Sequence, residues 1–271
     1  MADRYAVIGN PVDHSNSPWI HAQFARQTRQ DIEYTRLEAP LEGFARSVAE
    51  FRAAGGRGAN VTVPFKQQAF VLCGDALSAR ARAAEAVNTL IFDAKSADGE
   101  MRGDNTDGVG LLRDITVNLG RAVAGSRVLL MGAGGAALGV VGPLLAAQPR
   151  RLVIANRTAA KSRALAQRCG AAAGGGYADL GGAQFDLLIN ATSAGLEDEA
   201  PPLPPGAFAP GALGYDMVYG RDTPFLAMAR AAGAEARDGT GMLVEQAAES
   251  FLLWRGMRPD TAPVLAALRL R

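Results

Sequence analysis

The sequence has 271 residues, of which 48% are hydrophobic, and its formal net charge at pH 7 is +1. This length suits one large or two medium domains with a substantial core, and the absence of any lysine and arginine cluster excludes a typical nucleic-acid footprint. Asp3 and Arg4 precede only a short apolar run, which argues against a signal peptide. Cys73 and Cys169 predict neither a metal site nor a disulfide framework, so we expect a cytoplasmic protein without metal.

Two serines follow the first predicted strand, which spans residues 5–8. Ser17 before Pro18 predicts the start of a helix, with Ser17 as its N-cap. A local turn bond accounts for Ser15 in the same interpretation. Alternatively, the two hydroxyl groups and nearby backbone N–H groups bind a small anion such as a carboxylate.

Lys66 lies at a second candidate ligand-binding position, the carboxyl end of a predicted strand. The β-branched run 61–63 is predicted to be a strand, and it meets Pro64 just before Lys66. Open α/β sheets place ligand-binding residues at the carboxyl ends of their strands. Taken alone, however, Lys66 is better interpreted as a solvated surface lysine.

Polar residues gather again in the region that joins the two halves of the chain. A hairpin is predicted over residues 87–102, with its turn at Asp98-Gly99, and Asn88 lies within its first arm. The run Gly-Asp-Asn-Thr-Asp-Gly at 103–108 lacks the spacing and final Glu of a calcium-binding EF-hand loop. We interpret it as a hinge loop that caps a helix over 109–119 and carries polar groups toward a cleft.

The second half is organised around a glycine-rich turn between a predicted strand at 128–131 and a helix that ends at 147. The turn fits the dinucleotide-binding pattern G-x-G-x-x-A and consists of Gly132, Ala133, Gly134, Gly135, Ala136 and Ala137. Gly132 permits the tight turn, and Gly134 lets a pyrophosphate approach the backbone. The helix N-terminus then offers N–H groups and partial positive charge to the phosphates.

The end of the next predicted strand, 152–155, indicates which dinucleotide binds. NAD sites usually carry Asp or Glu there, to accept hydrogen bonds from the ribose 2′-hydroxyl. Here Asn156, Arg157 and Thr158 follow the strand, and Lys161 comes one turn later. Because two cations attract a 2′-phosphate that a carboxylate would repel, the sequence predicts NADP.

Two other interpretations compete for this region. Residues 128–147 form 20 consecutive residues without charge, as in a transmembrane helix, but they are rich in Gly and Ala and contain Pro143. An ordinary buried strand, turn and helix without ligand is the second alternative. From 109 to 237 predicted strands and helices alternate, which favours a doubly wound parallel sheet of Rossmann type. The first hundred residues form a separate α/β unit.

Taken together, the motifs closely resemble those of the shikimate dehydrogenase family over nearly the whole chain. They are residues 14–18 (His-Ser-Asn-Ser-Pro), 60–66 (Asn-Val-Thr-Val-Pro-Phe-Lys), 86–89 (Ala-Val-Asn-Thr), 103–108, the turn at Gly132, 156–158 (Asn-Arg-Thr), 190–193 (Asn-Ala-Thr-Ser), 215–219 (Tyr-Asp-Met-Val-Tyr) and 241–247 (Gly-Met-Leu-Val-Glu-Gln-Ala). Each motif alone is weak, whereas all of them in this order are specific.

The resemblance implies reversible, NADP-dependent oxidation of shikimate to 3-dehydroshikimate. It implies an α/β protein of two domains: a substrate-binding domain of residues 1–106 and 242–271, and an NADP-binding Rossmann domain of residues 107–241. It also implies Lys66 and Asp107 as the catalytic pair. The implied substrate ligands are Ser15, Ser17, Thr62, Asn88, Asp107, Tyr219 and Gln246. The implied cofactor ligands are Gly132, Ala133, Gly134, Gly135, Ala136, Asn156, Arg157, Thr158, Lys161, Met217 and Gly239.

Two rival functions share this fold. A quinate/shikimate dehydrogenase would use a broader substrate range or NAD, but Ser15 and the basic pair Arg157 and Lys161 favour the shikimate-specific branch. A non-catalytic NADP sensor would not need Lys66 and Asp107. The resemblance leaves open whether Lys66 is the proton-transfer base or mainly orients the substrate, and whether the protein is a monomer or a homodimer. We expect no membrane or nucleic-acid partner.

Overall fold

The computed structural model describes residues 2–92, 101–192 and 199–271, which form two compact units. The first unit comprises residues 1–110 and 244–271, and the second comprises residues 111–243. The predicted hairpin turn at Asp98-Gly99 and Ser193 of the 190–193 motif lie outside the described residues. Asp107, which the sequence assigns to the cofactor domain, belongs here to the first unit.

The elements follow one another as short strands and helices, with one π-helical turn at 114–118 and one 3₁₀ turn at 177–180. Up to residue 113 they are β1 (Asp3–Gly9), α1 (Ser17–Thr28), β2 (Ile32–Glu38), α2 (Phe44–Ala53), β3 (Gly56–Val61), α3 (Lys66–Cys73), α4 (Ala79–Ala84), β4 (Thr89–Phe92), β5 (Met101–Asp104) and α5 (Asp107–Arg113). Then come β6 (Arg127–Met131), α6 (Gly135–Ala146), β7 (Arg151–Ala155), α7 (Ala159–Cys169), β8 (Ala173–Gly175), β9 (Phe185–Asn190), β10 (Phe208–Asp216), α8 (Pro224–Ala231), β11 (Glu235–Arg237), α9 (Thr240–Arg255) and α10 (Ala262–Leu268).

The first unit is built on a mixed sheet in the order β2-β1-β3-β4-β5. The strand β1 runs parallel to β2 and β3, whereas β4 is antiparallel to both of its neighbours. The loops that follow β1 and β3 therefore leave the same edge of the sheet. Two backbone bonds join these loops, from Thr62 N to Ile8 O at 2.9 Å and from Asn10 N to Val63 O at 3.1 Å.

The predicted strand over 61–63 is wrong in position, because β3 ends at Val61 and Val63 is exposed. The strand instead begins in a segment whose glycines have poor strand propensity. A Cβ atom on Gly58 would lie 2.5 Å from the Trp254 indole nitrogen. Close packing of α9 against the sheet therefore explains the glycine better than propensity does. Asn88 similarly lies just before β4 rather than within it.

The second unit contains a parallel sheet in the order β8-β7-β6-β9-β10-β11. Counted within the unit, this order is 3-2-1-4-5-6, the doubly wound arrangement predicted from the sequence. Buried residues of β6, β7 and β9 face helices on both sides of the sheet. The strand order reverses between β6 and β9, and ligands of such sheets bind at the carboxyl ends of the strands beside that point.

The apolar segment 128–147 divides into β6, a turn and α6. The predicted strand, turn and helix are therefore confirmed, and the alternative of one continuous helix is wrong. No helix among the described residues combines the length and the hydropathy that crossing a bilayer would require.

His21 on α1 is fully buried in the first unit. Its ring stacks on Tyr34 at a centroid distance of 4.2 Å, and the rings of Trp254 and Phe24 lie at 5.5 and 5.8 Å. Neither ring nitrogen has a hydrogen-bond partner within the described part of the chain. Because burial disfavours the charged ring, the pKa of His21 is lowered from 6.5 to about 3.

We expect His21→Phe to remove most of the pH dependence of the first unit's stability between about pH 7.5 and about pH 5. In the unfolded chain histidine titrates near pH 6.5, so below that pH the unfolded state binds a proton that the folded state excludes. Stability therefore falls as the pH drops from about 6.5 toward about 3. Between about pH 7.5 and about pH 5 the unfolding free energy should fall by about 2 kcal/mol in the wild type, and this part should vanish in the variant.

Urea titration followed by tryptophan fluorescence measures this effect, because both tryptophans of the sequence, Trp19 and Trp254, lie in the first unit. The matched control is His14→Phe, which changes the other histidine of the sequence at an exposed position. An unchanged pH dependence in His21→Phe would show that another group causes the acid sensitivity.

Candidate active site

The structure brings Lys66 and Asp107 together in the first unit. Lys66 is the first residue of α3, and Asp107 is the first residue of α5. The Lys66 Nζ atom lies 2.6 Å from Asp107 Oδ2, and the two side chains are 32% and 11% exposed. The partial positive charge of the α5 N-terminus stabilises the carboxylate. Lys66 is therefore an oriented, partly exposed side chain rather than the solvated surface lysine that its local sequence favours.

Asn88 holds the other oxygen of the carboxylate. Its Nδ2 donates to Asp107 Oδ1 at 2.8 Å and to Thr106 Oγ1 at 2.9 Å. Its Oδ1 accepts from the backbone N–H of Thr106 at 2.8 Å. Because both carboxylate oxygens of Asp107 have partners, the carboxylate cannot rotate without breaking a bond. These bonds explain why an asparagine occupies position 88, directly before β4.

Gln246 on α9 approaches the same cluster through Thr106, a residue of the 103–108 loop to which the sequence assigned no role of its own. The Thr106 hydroxyl lies 3.4 Å from Gln246 Oε1 and 3.3 Å from Ser250 Oγ. Ser250 follows Gln246 by four residues, so both side chains lie on one face of α9. That spacing was the available signal for Ser250, whereas the role of Thr106 depends on the folded loop.

A buried polar network continues behind Asn88. Ser250 Oγ lies 2.8 Å from Thr89 Oγ1 and accepts from Asn60 Nδ2 at 2.9 Å. The Tyr34 hydroxyl donates to Asn60 Oδ1 at 2.7 Å. Burial raises the pKa of Tyr34 well above 10, and a hydrogen bond with Ser17 opposes that rise. The hydroxyl of Tyr34 is therefore a neutral donor that links the Asn88 cluster to Ser17.

Ser15 and Ser17 are both buried, and the structure corrects the predicted cap. Asn16 occupies the N-cap of α1 without a side-chain capping bond, and Ser17 is the first helical residue. The Ser15 hydroxyl lies 3.2 Å from that of Ser17, and the Arg36 guanidinium donates to Ser15 O at 2.6 and 3.1 Å. The Ser17 hydroxyl therefore faces Ser15 and Tyr34 instead of capping the helix.

Thr62 lies where the loops after β1 and β3 meet. A Cβ atom on Gly9 would lie only 2.5 Å from Thr62 Cγ2, so the glycine is needed for the loops to approach each other. Thr62 is half-buried and four residues before Lys66. The structure thus places its hydroxyl-bearing side chain at the same sheet edge as the Ser15 loop.

In the second unit the glycine turn has the geometry that a dinucleotide requires. Gly132 has φ +110°, and a Cβ atom there would lie 2.8 Å from Ala191 O. Gly134 is the N-cap of α6 without a side-chain capping bond, and open space surrounds the Cβ positions of Gly134 and Gly135. The uncapped N–H groups at this helix start fit a pyrophosphate, and they lie beside the point at which the strand order reverses.

The predicted basic cluster lies at the end of β7, adjacent to this turn. Gly132 N donates to Ala155 O at 2.8 Å, which ties the turn to the last residue of β7. Asn156 Nδ2 donates to Thr158 O at 3.0 Å. Arg157 is exposed and lies 3.8 Å from Glu199, a contact that contributes little in water.

Lys161 is also exposed and lies in the first turn of α7, whose N-cap is Thr158. Helix geometry and the bond from Lys161 N to Thr158 O at 3.0 Å keep it close to the end of β7. The two cations and the start of α7 therefore form one electropositive corner, which fits a 2′-phosphate.

Met217, Tyr219 and Gly239 belong to the second unit. Met217 and Tyr219 follow the end of β10, and Gly239 follows β11. A Cβ atom on Gly239 would lie 2.4 Å from Met217 O, so only glycine permits this approach. Met217 N donates to Asn190 O at 3.0 Å, which places it at the carboxyl end of β9. Burial raises the pKa of Tyr219, whose hydroxyl is therefore a neutral donor.

Comparison with known proteins identifies the family. The shikimate dehydrogenase substrate binding domain matches residues 7–90, the shikimate / quinate 5-dehydrogenase domain matches 115–196, and the shikimate 5′-dehydrogenase C-terminal domain matches 239–269. A curated shikimate dehydrogenase (NADP(+)) from Aromatoleum aromaticum is 61% identical over 275 residues, which cover 98% of this chain and 97% of the relative. This chain belongs to the shikimate dehydrogenase family.

Similar solved structures support the assignment. An Ael1 enzyme from Pseudomonas putida is 48% identical, covers 98% of each chain and superposes with a TM-score of 0.93. A shikimate 5-dehydrogenase from Thermus thermophilus, solved in complex with NADP(H) and shikimate, is 35% identical with a TM-score of 0.87 over 99% of each chain. The resemblance and the fold class inferred from the sequence are confirmed.

Proposed function

We propose that this protein is an NADP-dependent shikimate dehydrogenase, which reversibly reduces 3-dehydroshikimate to shikimate. The observation that carries the proposal is the contact between Lys66 Nζ and Asp107 Oδ2 at 2.6 Å, buttressed by Asn88. Such a pair handles the proton of a secondary alcohol, and the family relatives named shikimate dehydrogenase (NADP(+)) supply the substrate class. In a cell the reaction serves the route to chorismate and aromatic amino acids.

The first unit is proposed to hold the substrate. Ser15 and Ser17 bind its carboxylate through two buried hydroxyl groups. Ring hydroxyl groups of the substrate are bound by Thr62, Asn88, Asp107 and Gln246. Tyr219, a neutral donor of the second unit, is proposed as a further substrate ligand. We also propose a cytoplasmic monomer or homodimer that acts without membrane or nucleic-acid partners.

The second unit is proposed to hold the cofactor. The turn from Gly132 to Ala136 binds the pyrophosphate, and the corner formed by Asn156, Arg157, Thr158 and Lys161 binds the adenosine ribose with its 2′-phosphate. Met217 and Gly239 line the nicotinamide. When bound, NADP would supply the hydride acceptor for the oxidation, and NADPH would supply the hydride donor for the reduction.

The chemistry needs a hydride and a proton to leave the same secondary alcohol. As the C–H electron pair departs with the hydride, the alcohol oxygen loses its proton and becomes the ketone oxygen. Lys66 Nζ is proposed to hold that oxygen and, as a neutral amine, to take its proton in the oxidation, while Asp107 and Asn88 keep Nζ in position. In the reduction the same groups return a proton to the oxygen.

Initial rates with shikimate and quinate, each with NADP and NAD, test the proposal in one assay. We expect strong preference for shikimate with NADP, because the paired serines fit the substrate carboxylate and the basic corner fits the 2′-phosphate. Turnover of quinate or preference for NAD would assign the protein to the broader branch of the family. Binding of NADPH without turnover of any pair would favour a sensor and contradict the proposal.

A further inference from the structure

A network of ion pairs lies next to the loop that carries Asp107. Arg80 donates to Asp104 through two bonds, Nε to Oδ1 at 2.6 Å and Nη2 to Oδ2 at 3.0 Å. Its Nη1 donates to Glu249 Oε1 at 2.9 Å. Arg258 extends this ion-pair network, because it donates to Glu249 Oε2 at 2.6 Å and to Glu245 Oε2 at 2.8 Å. Arg80 thus joins β5 to α9 within the first unit.

Asp104 is a carboxylate that needs its counter-charge. Its side chain is only 9% exposed, and an unpaired charge at such a site is strongly unfavourable. Ser78 Oγ and the backbone N–H of Asn105 also donate to its Oδ1, at 2.6 and 2.7 Å. Arg80 supplies the positive charge together with the planar, two-point geometry that guanidinium groups provide.

The position of Asp104 is transmitted to the catalytic pair over three residues. Asn105, held by Asp104 through its N–H, donates from Nδ2 to Ala86 O at 3.0 Å. Its Oδ1 accepts the backbone N–H of Asp107 at 3.1 Å. The carboxylate of Asp107 then contacts Lys66 Nζ at 2.6 Å. A shift of Asp104 would therefore displace the partner of the reacting lysine.

At its other end this ion-pair network includes residues of α9. Glu249 lies three residues after Gln246 and next to Ser250, the two residues that contact Thr106. Glu249 bonds both Arg80 and Arg258. Arg80 therefore fixes the catalytic loop and the helix that faces it to one another.

We propose that Arg80 is a positioning residue for the dehydrogenase reaction. Through Asp104 it holds the segment from Asn105 to Asp107 so that Asp107 keeps Lys66 Nζ in place, and through Glu249 it holds Gln246. This inference rests on the proposed function.

Four variants test it: Arg80→Met, Asp104→Asn, the double variant and Arg80→Lys. Arg80→Met should lower kcat for shikimate oxidation by about 10- to 100-fold, because small displacements of reacting groups have effects of that size. KM for NADP should change by less than about two-fold, because the positioned groups are not cofactor ligands. The double variant should regain about 10-fold in kcat over Arg80→Met, since it leaves no unpaired carboxylate.

Arg80→Lys should fall between the wild type and Arg80→Met, because lysine keeps the charge and loses the two-point geometry. Arg46→Met is the matched control, since this arginine of the same unit is exposed and pairs only with Glu50 among its described ion pairs. Rates are compared per folded protein, with folding measured by circular dichroism and thermal unfolding. If Arg80→Met does not fold, Arg80→Lys and the double variant carry the test.

Recovery of kcat in the double variant, with wild-type kinetics in Arg46→Met, would support the positioning role. A purely structural role predicts lower thermal stability with wild-type kcat per folded molecule, and that result would overturn the inference. So would additive losses in the double variant. Wild-type enzyme that fails to oxidise shikimate with NADP would instead overturn the proposed function and this inference together.

Discussion

Replacing Lys66 by methionine should lower kcat by about 10² to 10⁴-fold, the range that one proton-transferring side chain contributes. Methionine keeps most of the apolar length of the side chain and lacks the amino group, so the effect reports the contact of Nζ with the substrate oxygen. If Lys66 acts mainly in the transition state, KM for shikimate should change by less than about five-fold. A large rise in KM with kcat nearly retained would favour an orienting role.

Steady-state kinetics with shikimate at saturating NADP measure this difference. Gln67→Met is the matched control, because Gln67 is exposed and follows Lys66 on α3. Asp107→Asn provides an independent check: it keeps the shape of the side chain but removes the charge that holds Nζ at 2.6 Å. Its kcat should fall too, whereas unchanged kcat in both Lys66→Met and Asp107→Asn would remove this pair from the mechanism.

The second large effect concerns the choice of cofactor. The double variant Arg157→Gln, Lys161→Gln should lose about 100-fold in kcat/KM with NADP and change by less than about three-fold with NAD. Each charged hydrogen bond to a phosphate contributes about 1.5–3 kcal/mol, and we take the low end because both side chains are exposed. NAD has no 2′-phosphate and is therefore insensitive to these charges.

Arg163→Gln is the matched control, since Arg163 lies on the same helix and pairs with Asp179 at 3.0 Å. Salt gives a second readout: KM for NADP should rise with ionic strength in the wild type and much less in the double variant. Equal losses with NADP and NAD would mean that the two cations support the fold of the corner instead of recognising the phosphate.

Local patterns were sufficient to predict the second unit. The apolar strands, the glycine turn and the basic residues after β7 follow one another between residues 127 and 161, and each has a local physical reason. Gly132 is needed for φ +110°, and the uncapped start of α6 follows from the glycines before it. The doubly wound sheet then follows from the regular alternation of strands and helices.

The first unit was less predictable because non-local contacts override local signals there. The β-branched run at 61–63 favours a strand, but β3 occupies the glycine-containing segment before it, since Trp254 of α9 needs the space beside Gly58. Ser17 favours an N-cap, but its hydroxyl faces Ser15 instead. Trp254 is distant from Gly58 in sequence, and the Ser17 hydroxyl also contacts Tyr34 of β2, so in both places a non-local contact accompanies the departure from the local signal.

The sequence by itself determined the fold class, the family and the chemical groups available, because these follow from local spacing and from motifs in a particular order. Tertiary structure alone decided which groups meet. Arg80 and Glu249 are 169 residues apart, and Thr106 and Gln246 are 140 apart. No local pattern encodes such pairs, because they depend on the return of α9 to the first sheet. The orientation of Asp107 and Lys66, and with it the reactivity of the site, therefore depends on contacts that form only in the folded first unit.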